Sequence, residues 1–152
     1  MRLSAAGLEL IKKSEGFRSC KYLDCAGIPT IGYGHRLLAG ESFSTAIEEA
    51  QASDLLAADV SSAEGTVERL VKVPLRQGQF DALVDFVFNL GAGRLAALTL
   101  LKDLNRSQFE AAGQQILLWD RCGAQENAGL KARREAEFQL WDHPGETDTA
   151  AA

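Results

Sequence analysis

The sequence changes character near residue 44, and that change constrains the fold more than any other feature. Before it, a run with Tyr22, Ile28, Thr30, Ile31 and Tyr33 is interrupted by Gly27, Pro29, Gly32 and Gly34. Aromatic and β-branched residues punctuated by turn formers predict short strands and tight turns, a small hairpin or sheet. After it, apolar residues recur three and four apart almost to the end of the chain, the period of amphipathic helices. One helix precedes the β segment: Ser4 is its expected N-cap, Leu8, Ile11 and Glu15 share a face, and Gly16 is the expected C-cap. Strands segregated from helices define an α+β class, not a parallel α/β sheet. A small β lobe over about 16–43 and a larger helical lobe over about 44–143 would leave a cleft between them, where ligands bind.

Within the helical part, Ser44 is the expected cap of the long acidic stretch that runs to Val71, with Gly65 as an expected break and Pro74 as a boundary. The segment QFDALVDFVFNLG predicts a strongly apolar helix ending at Gly91. AALTLLKDLN and QFEAAGQQILLWD predict two more, and LKARREAEFQLW, after Gly123 and Gly129, predicts a last one. The remainder, 144–152, is small and polar and reads as a disordered tail.

At 152 residues with 46% apolar and 24% charged composition, the chain suits one compact domain, and a monomer is the default for its size. No apolar run is long enough to span a bilayer. The opening MRLSAAGLELIKK does not read as a secretory leader, which predicts a cytoplasmic start for the chain. The net charge of −5 argues against non-specific nucleic-acid binding. Charge is uneven, however: Arg2, Lys12, Lys13, Arg18, Lys21 and Arg36 outnumber Glu9, Glu15 and Asp24 before residue 41, which leaves room for an anionic partner there. Cys20, Cys25 and Cys122 make no disulfide framework, and His35 and His143 stand at no metal-ligand spacing from them, so no metal or cofactor is expected. Free thiols are the plain expectation for the cysteines. A Cys20–Cys25 bridge, restricting the loop beside Asp24, is the sharper one.

Glu15 and Asp24 form the chemically suggestive pair. A carboxylate in the last turn of a helix meets the negative end of the helix dipole, and an apolar neighbourhood adds a desolvation cost; both favour its protonated form unless a cation opposes them. Asp24, in a glycine-containing hairpin open to water, is expected to stay ionised. Two carboxyl groups in contrasting surroundings suit acid/base chemistry such as glycoside hydrolysis. Thr30 could hold a water against Asp24, on the face opposite the departing sugar, giving inversion with an expected carboxyl separation of roughly 6.5–9.5 Å. Taken singly, each residue has an ordinary reading too: a solvated helix end, a turn former, a strand threonine.

The surrounding residues narrow this choice. EGFRSCKYLDCAGIPTIGYGH closely resembles the active-site stretch of phage-type lysozymes, or endolysins, with Glu15-Gly16, Asp24 and Thr30-Ile31-Gly32-Tyr33-Gly34-His35 in register. FNLGAG (Phe88 to Gly93) and GLKARREAE (Gly129 to Glu137) match two further blocks in order, so the resemblance runs from about Leu8 to Trp141. It implies a lysozyme-like fold and a muramidase that cleaves the β-1,4 bond between N-acetylmuramic acid and N-acetylglucosamine in peptidoglycan. Glu15 would be the general acid, Asp24 and Thr30 would position the water, and Phe88, Asn89 and Thr99 would lie on the substrate side. One of Lys131, Arg133 and Arg134 would pair with Glu15. His35 is expected to fix the hairpin through a hydrogen bond or ion pair, and Gly32 and Gly34 to permit close backbone approach or positive φ. The resemblance also implies synthesis in the host cytoplasm, holin-dependent exit, and action on the wall in the periplasm without stable membrane insertion. A lytic transglycosylase on the same bond and a non-catalytic glycan-binding module are the alternatives; Asp24 and Thr30 argue against the first, since a reaction without attacking water does not need them.

Overall fold

A computed structural model describes residues 1–143. Helix α1 (Ala5–Glu15) leads into strands β1 (Arg18–Leu23), β2 (Pro29–Gly32) and β3 (His35–Arg36), which form one antiparallel sheet in the order β1-β2-β3. Helices α2 (Glu49–Leu70), α3 (Gln77–Leu90), α4 (Ala92–Ala97), α5 (Thr99–Leu104) and α6 (Phe109–Ile116) follow. A two-stranded hairpin, β4 (Arg121–Cys122) and β5 (Gln125–Glu126), precedes the closing helix α7 (Ala128–Asp142). The α+β class is as the sequence predicts. The expected disordered tail, 144–152, lies outside the described residues.

Both caps of α1 are the expected ones. The Ser4 hydroxyl accepts from the Gly7 N–H, and Gly16, at φ 68°, donates its N–H to the Lys12 carbonyl. Helix α3 forms the centre of the molecule and packs against α1, α2, α4 and α7. Every residue from Gln79 to Val87 is buried, as expected for a helix surrounded by others. Its polar members are all bonded: Gln79 accepts from the Arg76 N–H, Asp81 from Ser4 and Gln77, and Asp85 from Arg133.

Three expectations about helix limits are revised. Helix α2 begins at Glu49, capped by Glu48, and not after Ser44. Ile47 is buried and its N–H bonds to the Ser19 carbonyl at 2.9 Å, so residues before Glu48 are drawn onto the sheet. Gly65 does not break α2; Ala63, Glu64, Thr66 and Val67 around it are buried, and tertiary packing outweighs its weak propensity. The AALTLLKDLN helix is two pieces joined at an extended Leu98. Leu95 and Leu100, which would stand about 140° apart round a continuous helix, are both fully buried in the core on either side of this bend.

The cysteine expectations are corrected. Cys25 is bonded to Cys122 across 97 residues, and Cys20 is free and exposed. The partner of Cys25 lies in a hairpin of two-residue strands that has no periodicity to read, so local spacing pointed to the wrong cysteine. This bridge ties the turn after β1 to the β4–β5 hairpin of the helical side. Removing it by Cys122→Ser or by reduction is expected to lower unfolding stability by about 2–4 kcal/mol, measured as the denaturant midpoint with and without reductant.

His35 does fix the hairpin. Its buried ring places Nδ1 2.7 Å from Asp59 on α2 and Nε2 2.8 Å from Glu41 in the loop after β3. Burial alone would lower its pKa; the two carboxylates outweigh burial and raise it above 6.5. A raised folded-state value means that the stabilisation is complete below about pH 6.5 and is lost as pH rises through the folded-state value. His35→Leu should therefore cost most stability at pH 5–6 and progressively less at higher pH, read from denaturant midpoints across that range.

Candidate active site

The register of the sheet assembles one wall of a cleft. Thr30 pairs with Tyr22 on β1 and with Arg36 on β3, so these three side chains share a face. Ile31 and His35 pair on the other face, are both buried, and turn toward α2. At the end of β1, Asp24 closes a tight turn. Its Oδ1 accepts from the N–H groups of Ala26 and Ile28 at 2.8 and 2.9 Å, and its Oδ2 lies 3.1 Å from Arg36 Nη2. Asp24 is thereby held to one orientation with an edge still open to solvent. The Thr30 hydroxyl donates to the Ile28 carbonyl at 2.9 Å, which leaves its lone pairs as acceptors.

The opposite wall carries Glu15. Its Oε1 accepts from Arg133 Nη1 at 2.6 Å, and Arg133 grips Asp85 with Nε at 3.0 Å and Nη2 at 2.6 Å. Of the three basic candidates on α7, Arg133 is the one that reaches Glu15. Burial works against the Arg133 charge, and Asp85 followed by Glu15 more than restores it, so its pKa is raised. Asp85, fully buried, is held below the usual aspartate value: burial raises it, and the charge and hydrogen bonds of Arg133 prevail. Gly34, at φ 75°, lies against the other side of Glu15, where an added Cβ would overlap the carboxyl group.

A cavity of about 380 Å³ joins the two walls. Glu15, Asp24, Thr30, Phe88 and Asn89 all line it; Thr99 does not, standing exposed at the start of α5. Arg18, Tyr22 and Arg36 supply its basic and aromatic side, with the Arg18 guanidinium 4.3 Å from the Tyr22 ring centre. The acidic chain thus presents cations at this cleft. A larger hollow of about 870 Å³ between α1, α3 and α7 is mainly apolar and brings together no such set of groups.

Asp85 was not singled out from the sequence, although a signal existed. It is a charge in the middle of ALVDFVF, and a charge there must be paired. Arg18 and Arg36 gave no sequence signal beyond the basic opening segment, because strand register alone decides which face they occupy.

Residues 12–137 match the model of the phage lysozyme family. The endolysin of Salmonella phage P22 is 38% identical over 137 residues, 88% of this chain and 94% of that protein. Among solved structures, the endolysin from Escherichia coli O157:H7 phage FAHEc1 superposes with a TM-score of 0.81 at 34% identity, covering 93% of each chain. The muramidase domain of SpmX from Asticaccaulis excentricus gives 0.83 at 33%, covering 94% of this chain and 99% of that one. The chain belongs to the phage lysozyme family and is a glycoside hydrolase of the lysozyme class. Gly34→Ala, which pushes a methyl group into the Glu15 carboxyl and strains a positive-φ site, should cut turnover by about tenfold or more, measured on purified peptidoglycan.

Proposed function

We propose that the chain hydrolyses the β-1,4 bond between N-acetylmuramic acid and N-acetylglucosamine in peptidoglycan with inversion at the anomeric carbon. The observation that supports this most is a single cleft lined by Glu15 on one wall and by Asp24 and Thr30 on the other. In this reading Glu15 protonates the departing glycosidic oxygen. Thr30 Oγ1, its own proton given to Ile28, accepts one hydrogen of a water, and the open edge of Asp24 accepts the other. The water oxygen then keeps a lone pair for the anomeric carbon, and Asp24 takes up its proton as the bond forms. Asp24 is fixed by two backbone donors and Arg36, so little reorganisation is needed at that moment.

Phe88 and Asn89 form the floor on the helical side. Asn89 Oδ1 accepts from Arg134 at 3.0 Å, which turns its amide N–H groups toward a sugar acceptor. The Cys25–Cys122 bridge suits an oxidising compartment, in keeping with action on the wall in the periplasm; synthesis in the bacterial cytoplasm and a monomeric state are further parts of this reading. Among the described residues no helix is long and apolar enough to cross a membrane.

Glu15→Gln is expected to lower kcat by about 10²–10⁴-fold with the fold intact, and Asp24→Asn by less, because the amide oxygen still anchors the water and the proton donor stays, while only the base is lost. Mass spectrometry of wild-type digests should give reducing muramic acid ends, first released as the α anomer by NMR. Products one water lighter would establish a lytic transglycosylase instead, and binding without cleavage would establish a glycan-binding module.

A further inference from the structure

The ion pair at Glu15 continues inward past the groups the reaction uses. Beyond Asp85 lies Glu137 on α7, with no exposed surface. Its Oε1 accepts from Arg134 Nη2 at 2.7 Å. Its Oε2 is buried with no hydrogen-bond partner, as are Nε and Nη1 of Arg134, and the Asp85 carboxylate is the neighbouring charge that acts on Glu137 most strongly. Glu15, Arg133, Asp85, Glu137 and Arg134 therefore make one chain of charged groups running from the cleft into the core.

Three carboxylates against two guanidinium groups leave a net charge of −1 if all are ionised, and one proton removes it. Two carboxylates sharing a buried site do not both ionise. Asp85 receives two charge-assisted bonds from Arg133, one on each oxygen, whereas Glu137 receives one from Arg134. The proton therefore belongs on Glu137, where a hydrogen on Oε2 gives the orphaned atom a role. Burial, followed by the charge of Asp85, pushes Glu137 well above the usual glutamate range. The charged groups facing it are Asp85 from α3 and Arg133 and Arg134 from α7, with Glu15 of α1 behind Arg133. On the other flank of α7, α6 adds no hydrogen bond to the cluster among the described residues.

We propose that Glu137 is a neutral carboxylic acid that donates from Oε2 to Asp85, and so sets how Arg133 divides its charge between Asp85 and Glu15. It is a positioning residue for the proton donor, acting through two intermediates. The kinetic consequence rests on Glu15 being the acid; the protonation of Glu137 does not.

Two readouts test it. In the infrared spectrum at pH 7 the wild-type protein should show a buried protonated-carboxyl stretch that Glu137→Gln removes and Glu15→Gln keeps; its absence from the wild type overturns the proposal. The second readout is the alkaline limb of kcat against pH, where the acid loses its proton. Glu137→Met removes the donor, lets Asp85 draw more of the Arg133 charge, and should move that limb upward by about 0.5–1 unit while kcat falls about tenfold and KM holds. Glu137→Gln, whose amide can donate to Asp85 and accept from Arg134, should leave the limb in place and restore most of the lost rate. Were Glu137 ionised, both substitutions would delete a negative charge and move the limb downward, and that result rejects the proposal. An unmoved limb in Glu137→Met rejects the positioning role even if the infrared band is present. Failure of the Glu15 reading shows separately, as retained turnover in Glu15→Gln.

Discussion

One guanidinium group, that of Arg133, joins the parts of this molecule that matter for function. It reaches from α7 into the core to hold Asp85 on α3 with two hydrogen bonds, and outward to hold Glu15 at the end of α1 with a third. Three helices distant in sequence are thereby locked at one point beneath the cleft. Breaking such a buried pair typically costs about 3–5 kcal/mol, because the partner is left charged in the core. The arrangement also explains why a charge is tolerated in the middle of the most apolar helix. Asp85 is the fixed point from which the position of Glu15 is set.

The second wall is positioned by different physics. Strand register alone brings Tyr22, Thr30 and Arg36 onto the cleft face and turns Ile31 and His35 away from it. The reverse face is anchored to α2 by the His35–Asp59 bond and by the close approach of Gly32, at φ 67°, to Ala52. At the far end, the Cys25–Cys122 bridge links the turn that carries Asp24 to the helical side. The cleft is therefore held from beneath by an ion pair and at its rim by a covalent bond, with Glu15, Asp24 and Thr30 between them.

Much of this was legible in the sequence, and the parts that were not have physical reasons. The caps of α1, the apolar α3 ending at Gly91 and the separation of strands from helices all follow from local chemistry. The block from Glu15 to His35 gave the family. What local patterns could not carry was long range: Ile47 pulled onto the sheet by Ser19, the Cys25–Cys122 pairing, and the choice of Arg133 over its neighbours Lys131 and Arg134. Each depends on contacts between segments dozens of residues apart. The same is true of Glu137, which reads as one more acidic residue on a charged helix and is buried without exposed surface.

A double-mutant cycle on turnover, using Arg133→Lys and Asp85→Asn, tests most directly whether Arg133, seated on Asp85, is what holds Glu15, the proposed acid, in place. A lysine lacks the planar fork by which Arg133 bonds Asp85 twice and Glu15 once, so once it replaces Arg133 the Asp85 carboxylate loses most of its hold on the position of Glu15. The account predicts that the double variant is no slower than Arg133→Lys alone, within about twofold. Losses that simply multiply would mean that the two residues act independently, and would contradict it.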